Sequence, residues 1–123
     1  MSAPDEDLTL LAFDPPHLGI PAGAAFSARA HGPDGRFVEI FLDVRDGVVT
    51  QAGFLTDIPF VGVLCASFWC ETAMGADLKT VRALSPQDIL ARFPPGFPTP
   101  EGIAELCVKS GREAAKTAKE LKS

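Results

Sequence analysis

Apolar and polar positions change their rhythm along this chain, and each change marks a new element. Val38, Ile40, Leu42 and Val44 alternate with Glu39, Phe41 and Asp43, the period of two expected of a half-buried strand. Arg45-Asp46-Gly47 follows, and an Asp-Gly pair favours a tight hairpin, so a further strand is expected over Val48 to Thr56. Upstream, Ala24 to Ala30 suits a first strand, separated from the second by the dense turn signal His31-Gly32-Pro33-Asp34-Gly35. The three make an antiparallel sheet with one face left to cover. From Phe60 to Met74 nearly every residue is apolar or small, and Val61, Leu64, Cys65, Phe68 and Trp69 recur at helical spacing, which predicts a central, buried helix. Asp77 to Leu84 reads as a short helix or its approach. Ser85-Pro86 opens another, continued by Asp88, Ile89, Leu90 and Phe93. Pro94-Pro95-Gly96-Phe97-Pro98 breaks the pattern. Thr99-Pro100-Glu101 then opens a last helix with Ile103, Leu106, Cys107, Ser110, Ala114, Ala118 and Leu121 on one face. Strands first and helices afterwards indicate an α+β fold.

Residues 1–21 are acidic and proline-rich, and Asp14-Pro15-Pro16 breaks any helix there, so a turn-rich, partly ordered lead is expected before a single domain over 22–123. A chain of 123 residues, 46% apolar, buries a real core without disulfides or a structural metal. Its net charge of −5 and pI near 4.9 argue against nucleic acid or an anionic membrane as the main partner. Lys109, Arg112, Lys116, Lys119 and Lys122 concentrate positive charge in the last segment. The solvated face of a terminal helix accounts for them first, with a docking site as the alternative. No apolar run approaches the roughly 20 residues that span a bilayer, and the acidic start lacks the cationic opening of a signal peptide, so a cytoplasmic location is expected. Three cysteines without tight pair spacing fit a reducing compartment.

One stretch carries a resemblance. Gly53 to Gly75 runs a strand straight into a buried helix, with Phe54 as the aromatic near the strand end, Glu71 following as a helical acid and Gly75 closing. It resembles the strand-to-helix junction of the IscU/NifU N-terminal scaffold family, proteins on which iron-sulfur clusters are built. Pro16-His17-Leu18-Gly19 is similar to that family's Pro-Arg-Asn-x-Gly lead, Asp46-Gly47-Val48-Val49 to its hairpin, and Ser85-Pro86-Gln87-Asp88-Ile89-Leu90 to its Thr-x-x-Asp-Ile-Leu segment. Cys107, Ala114, Lys116 and Ala118 match its last helix, so the resemblance covers roughly Pro15 onward. It implies a three-stranded antiparallel sheet packed against helices.

The chemistry departs from that pattern. The family carries three cysteines, and soft thiolates suit iron-sulfur ligation. Of those positions only Cys107 is filled. Pro59 stands at the second and offers no donor atom, while His31-Gly32 takes the place of the first Cys-Gly and Asp34 that of an assisting aspartate. The resemblance therefore implies a degenerate metal set of Cys107, His31 and Asp34, able to hold iron, zinc or an iron-sulfur cluster. The competing reading is an ordinary polar turn and a structural thiol, with no metal at all. Cys107 near a helix start would have a lowered pKa; on an apolar face it would be inert. Cys65 and Cys70, about 140° apart around a helix, are read as core filler. Cys65 is the one nearer the expected site, and His17 carries little specific signal.

No phosphate-cradling glycine loop, nucleophile elbow or His-Glu-x-x-His pair is present, so no enzyme is expected. The reading is a divergent scaffold or metal-binding accessory, partnered by proteins of iron-sulfur assembly. The alternative is a protein-interaction or small-ligand module on the same fold, with Pro59, Phe60 and Val61 in its contact surface.

Overall fold

The computed structural model describes Leu8, residues 11–98 and residues 100–122, the last three of these by backbone alone. Its elements are β1 (Phe26–His31), β2 (Phe37–Arg45), β3 (Val48–Thr56), α1 (Val61–Ala73), α2 (Leu78–Arg82), α3 (Pro86–Leu90) and α4 (Glu101–Lys122). The strands form one antiparallel sheet in the order β1-β2-β3, the predicted α+β arrangement. Among the described residues no helix is long and apolar enough to cross a membrane.

The alternation in β2 sets which face is covered. Val38, Ile40 and Leu42 are wholly buried beneath the helices, as are Val49 and Phe54 of β3. The hairpin turns through Asp46 and Gly47, both at positive φ (53° and 76°), the backbone that a two-residue loop between right-twisted strands demands. α1 is buried along most of its girth, and α4 lies beside it. Their approach depends on Gly111, because a β-carbon there would overlap the Trp69 indole.

Ser110 fastens α4 to the sheet in another way. Its hydroxyl donates to the Ala28 carbonyl (2.6 Å) and accepts from the Ile40 N–H (3.0 Å). Ala28 and Ile40 are cross-strand partners, so the buried hydroxyl stands where a direct ladder bond between β1 and β2 would form.

Three expectations are adjusted. β1 starts at Phe26, not Ala24, whose N–H turns back to the Pro21 carbonyl. α3 stops at Leu90, and Phe93 lies in the turn beyond, its ring edge-on to Phe68 and stacked on Phe97. The lead docks more closely than its prolines suggest. Leu18 bridges Phe54 in parallel, with the Gly19 N–H donating to the Phe54 carbonyl and the Phe54 N–H to that of His17. Pro21 then packs over Gly53, where a β-carbon would come within 2.7 Å of its ring, and Phe41 opposite Gly53 is buried rather than exposed. Leu8 joins the core. The expectations for residues 1–7, 9, 10 and 99 and for the Leu121 and Lys122 side chains fall outside the described residues.

A candidate binding cleft at the β1–β2 turn

The turn after β1 is built from its own polar groups. The Gly32 N–H donates to the Arg36 carbonyl (2.8 Å) and the Gly35 N–H to that of Gly32 (3.0 Å), with Gly35 at φ 84°. The Asp34 carboxylate accepts from the Arg36 N–H (3.1 Å) and pairs with its guanidinium (3.6 Å). Below it, the loop between β3 and α1 is tied to β2. The Phe37 N–H donates to Asp57 (2.8 Å), and the Thr56 hydroxyl donates to the Phe37 carbonyl (2.7 Å) while accepting from the Ile58 N–H (3.1 Å). Phe60 ends this loop at φ 55° and ψ −81°, a strained backbone for a bulky residue, with 41% of its surface exposed.

Between the turn, this loop and the first turns of α4 lies a cleft of about 790 Å³. Ile58, Pro100, Ile103 and Leu106 make its apolar floor; His31, Asp34, Arg36, Glu105 and Lys109 supply polar groups. That combination of apolar walls and a few polar groups suits a small ligand or a partner's side chain. Of the expected site residues, His31 and Asp34 are both here and both exposed. Arg36, Ile58 and Glu105 went unnoticed as site residues in the sequence, where Lys109 stood out only as part of the cationic run of the last helix. The signal for the α4 residues was the spacing of Gly102, Glu105, Leu106 and Lys109, which places them to one side of the core stripe.

Cys107 faces elsewhere. α4 begins at Glu101, so this cysteine lies in the second turn rather than at the helix start, and it is wholly buried. Burial, then the neighbouring Cys65 and Cys70, push its thiol well above the ordinary range, the reverse of the lowering a helix start would give. Burial also raises Cys65, to about 12, and Cys70, the latter helped by Glu71. All three are buried, protonated thiols at neutral pH, and Cys65 does not line the cleft. Pro59, exposed in the loop, has no donor. Among the described residues no group of three His, Cys, Asp or Glu side chains is placed to hold a metal ion. The donor set in this arrangement does not fit a thiolate-held cluster: His31 and Asp34 share one rim, and the sulfur is turned into the core.

No family model matches the sequence, and no curated protein does. Solved structures do resemble it. The N-terminal part of a nitrogen-fixing NifU-like protein from Brucella abortus superposes with a TM-score of 0.67 over 96% of this chain and 99% of that one, at 17% identity. A SufU protein from the thermophile Fervidobacterium islandicum, described as a candidate iron-sulfur cluster assembly scaffold for the SUF system, gives 0.68 over 94% and 96%, at 11% identity. A protein described only as hypothetical gives 0.68 over 92% and 96%, at 14% identity. The resemblance seen in the sequence is thus one of fold, and this chain is an α+β protein whose three-stranded antiparallel sheet packed against helices matches the fold of these NifU-like and SufU proteins.

Proposed function

We propose that this chain is a cytoplasmic binding module of iron-sulfur cluster metabolism, not an enzyme, which takes a protein partner or small molecule into the cleft instead of building a cluster on its cysteines. The observation that carries this reading is the side of α4 on which each residue falls. Ile103, Leu106 and Lys109 face the cleft, while Cys107, the one cysteine matching a ligand position, is wholly buried against the other thiols. Drawing it out as a thiolate would require unpacking the core around it. The scaffold fold supports the setting, because the similar NifU-like and SufU proteins are named for nitrogen fixation and cluster assembly.

A second reading, a metal-binding accessory, is favoured by His31 and Asp34 sharing one rim. Anaerobic reconstitution with iron, sulfide or zinc separates the two, using wild type, Cys107→Ala and His31→Ala. The module reading expects no variant to retain metal near one equivalent. Iron retained by wild type and lost in Cys107→Ala overturns it in favour of a scaffold. Metal lost only in His31→Ala favours the accessory.

A further inference from the structure

The positive charges of this protein fall into two populations. Outside α2 and α4 there are four, Arg29, Arg36, Arg45 and Arg92, and each has a carboxylate partner: Glu39, Asp34, Asp43 and Glu71. On α2 and α4 the described side chains add six, Lys79, Arg82, Lys109, Arg112, Lys116 and Lys119, and none has an ion-pair partner among the described residues. All but the half-exposed Arg82 are exposed. Carboxylates are not scarce in a chain of net charge −5, so this segregation is a property of the face rather than of composition.

The face is also ordered. Lys109, Arg112, Lys116 and Lys119 stand at i, i+3, i+7 and i+10 of one helix, within an arc of about 80° and along about 15 Å. Glu113 lies about 40° outside that arc, while Glu105, one turn before Lys109, falls within its angular range at the cleft end of the row and makes no ion pair with Lys109. Arg112 is held in place without a carboxylate, its guanidinium donating to the carbonyls of Arg82 (3.2 Å) and Leu84 (3.4 Å) at the end of α2. That contact joins Arg82 and its helix to the α4 row. Attraction to the helix C-terminus explains only charges in the last turn, which leaves Lys109, Arg112 and the row's spacing to be explained.

We infer that this face docks an acidic segment of a partner protein, one presenting carboxylates at helical spacing to the α4 row. It lies outside the cleft apart from Lys109 and does not depend on what the cleft binds. A protein partner suits it better than nucleic acid or an anionic bilayer, because a chain of net charge −5 is repelled at long range by an extended polyanion, whereas a short acidic segment meets only the local cations.

The test is fluorescence anisotropy at low ionic strength with a labelled helical peptide bearing glutamates at i, i+3, i+7 and i+10. The comparisons are a peptide of the same composition with scrambled spacing, a short DNA duplex, and phosphatidylserine vesicles. Wild type is expected to bind the spaced peptide best and to release it as salt rises. Lys116→Glu with Lys119→Glu should weaken binding roughly tenfold or more, while Arg45→Gln, at the hairpin, leaves it unchanged. No binding of the spaced peptide overturns the inference, as does equal binding by the charge-reversed variant. DNA or vesicles binding as well as the spaced peptide would show a general polyanion surface and overturn it too. Unchanged thermal midpoints in the variants confirm that the loss is not one of folding.

Discussion

The two sides of α4 obey different rules. On the inner side each residue is fixed by what it meets: Gly111 by the Trp69 ring, Ser110 by the gap between β1 and β2, and Cys107, Ala114 and Ala118 by the core. On the outer side Lys109, Lys116 and Lys119 have no ion-pair partner among the described residues, and Arg112 meets only the Arg82 and Leu84 carbonyls. The inner side therefore reports how the protein folds, and the outer side what it encounters.

Substitutions can break that contrast in order of their force. Gly111→Val should be the most damaging, because the added carbons overlap Trp69 in a packed interior; a loss of about 3 kcal/mol or more is expected in urea unfolding. Ser110→Ala removes the group satisfying the Ile40 N–H and the Ala28 carbonyl, and should cost about 1–3 kcal/mol unless the strands close to bond directly. A near-neutral result would show that the hydroxyl holds the strands apart rather than together.

The thiols give a pH test. Their folded pKa values lie above the ordinary 9.0, Cys65 near 12, so the folded state keeps protons that the unfolded state has lost. Their contribution is complete below about pH 9 and declines as pH rises toward 12. Unfolding midpoints measured across that range should fall, and the slope should flatten in Cys65→Ala. Asp77 works at the other end of the scale. Its carboxylate accepts from the Thr80 N–H at the start of α2, which lowers its pKa, so its contribution is present above the unfolded value and lost as acid protonates it. Asp77→Asn should make the acid limb of the stability curve shallower. The smallest effect belongs to the outer side of α4, where Lys116→Gln with Lys119→Gln should change stability by less than about 0.5 kcal/mol.

The sheet was legible because its signals are local. β3 runs over the predicted residues, and the Asp46-Gly47 turn and the alternation in β2 needed no information from elsewhere in the chain. The lead was not legible: its prolines do rule out a long helix, but the pairing of Leu18 with Phe54 depends on a free strand edge and on Gly53 leaving room for Pro21. Of the candidate site, the turn that carries His31 and Asp34 was legible, but the cleft beside it was not, because its other wall comes from the loop after β3 and from α4. Cys107 matched a ligand position in sequence, yet its direction depends on where α4 begins and on the company of Cys65 and Cys70, which a linear pattern does not show.

The Ser110 hydroxyl makes one amide an indicator. Most N–H groups of β2 exchange their hydrogen with water only when the strands part. The Ile40 N–H is covered by a side chain carried on α4, so lifting the helix while the sheet stays whole uncovers it alone. Its exchange rate, read against that of its neighbours in β2, measures how often α4 leaves its seat.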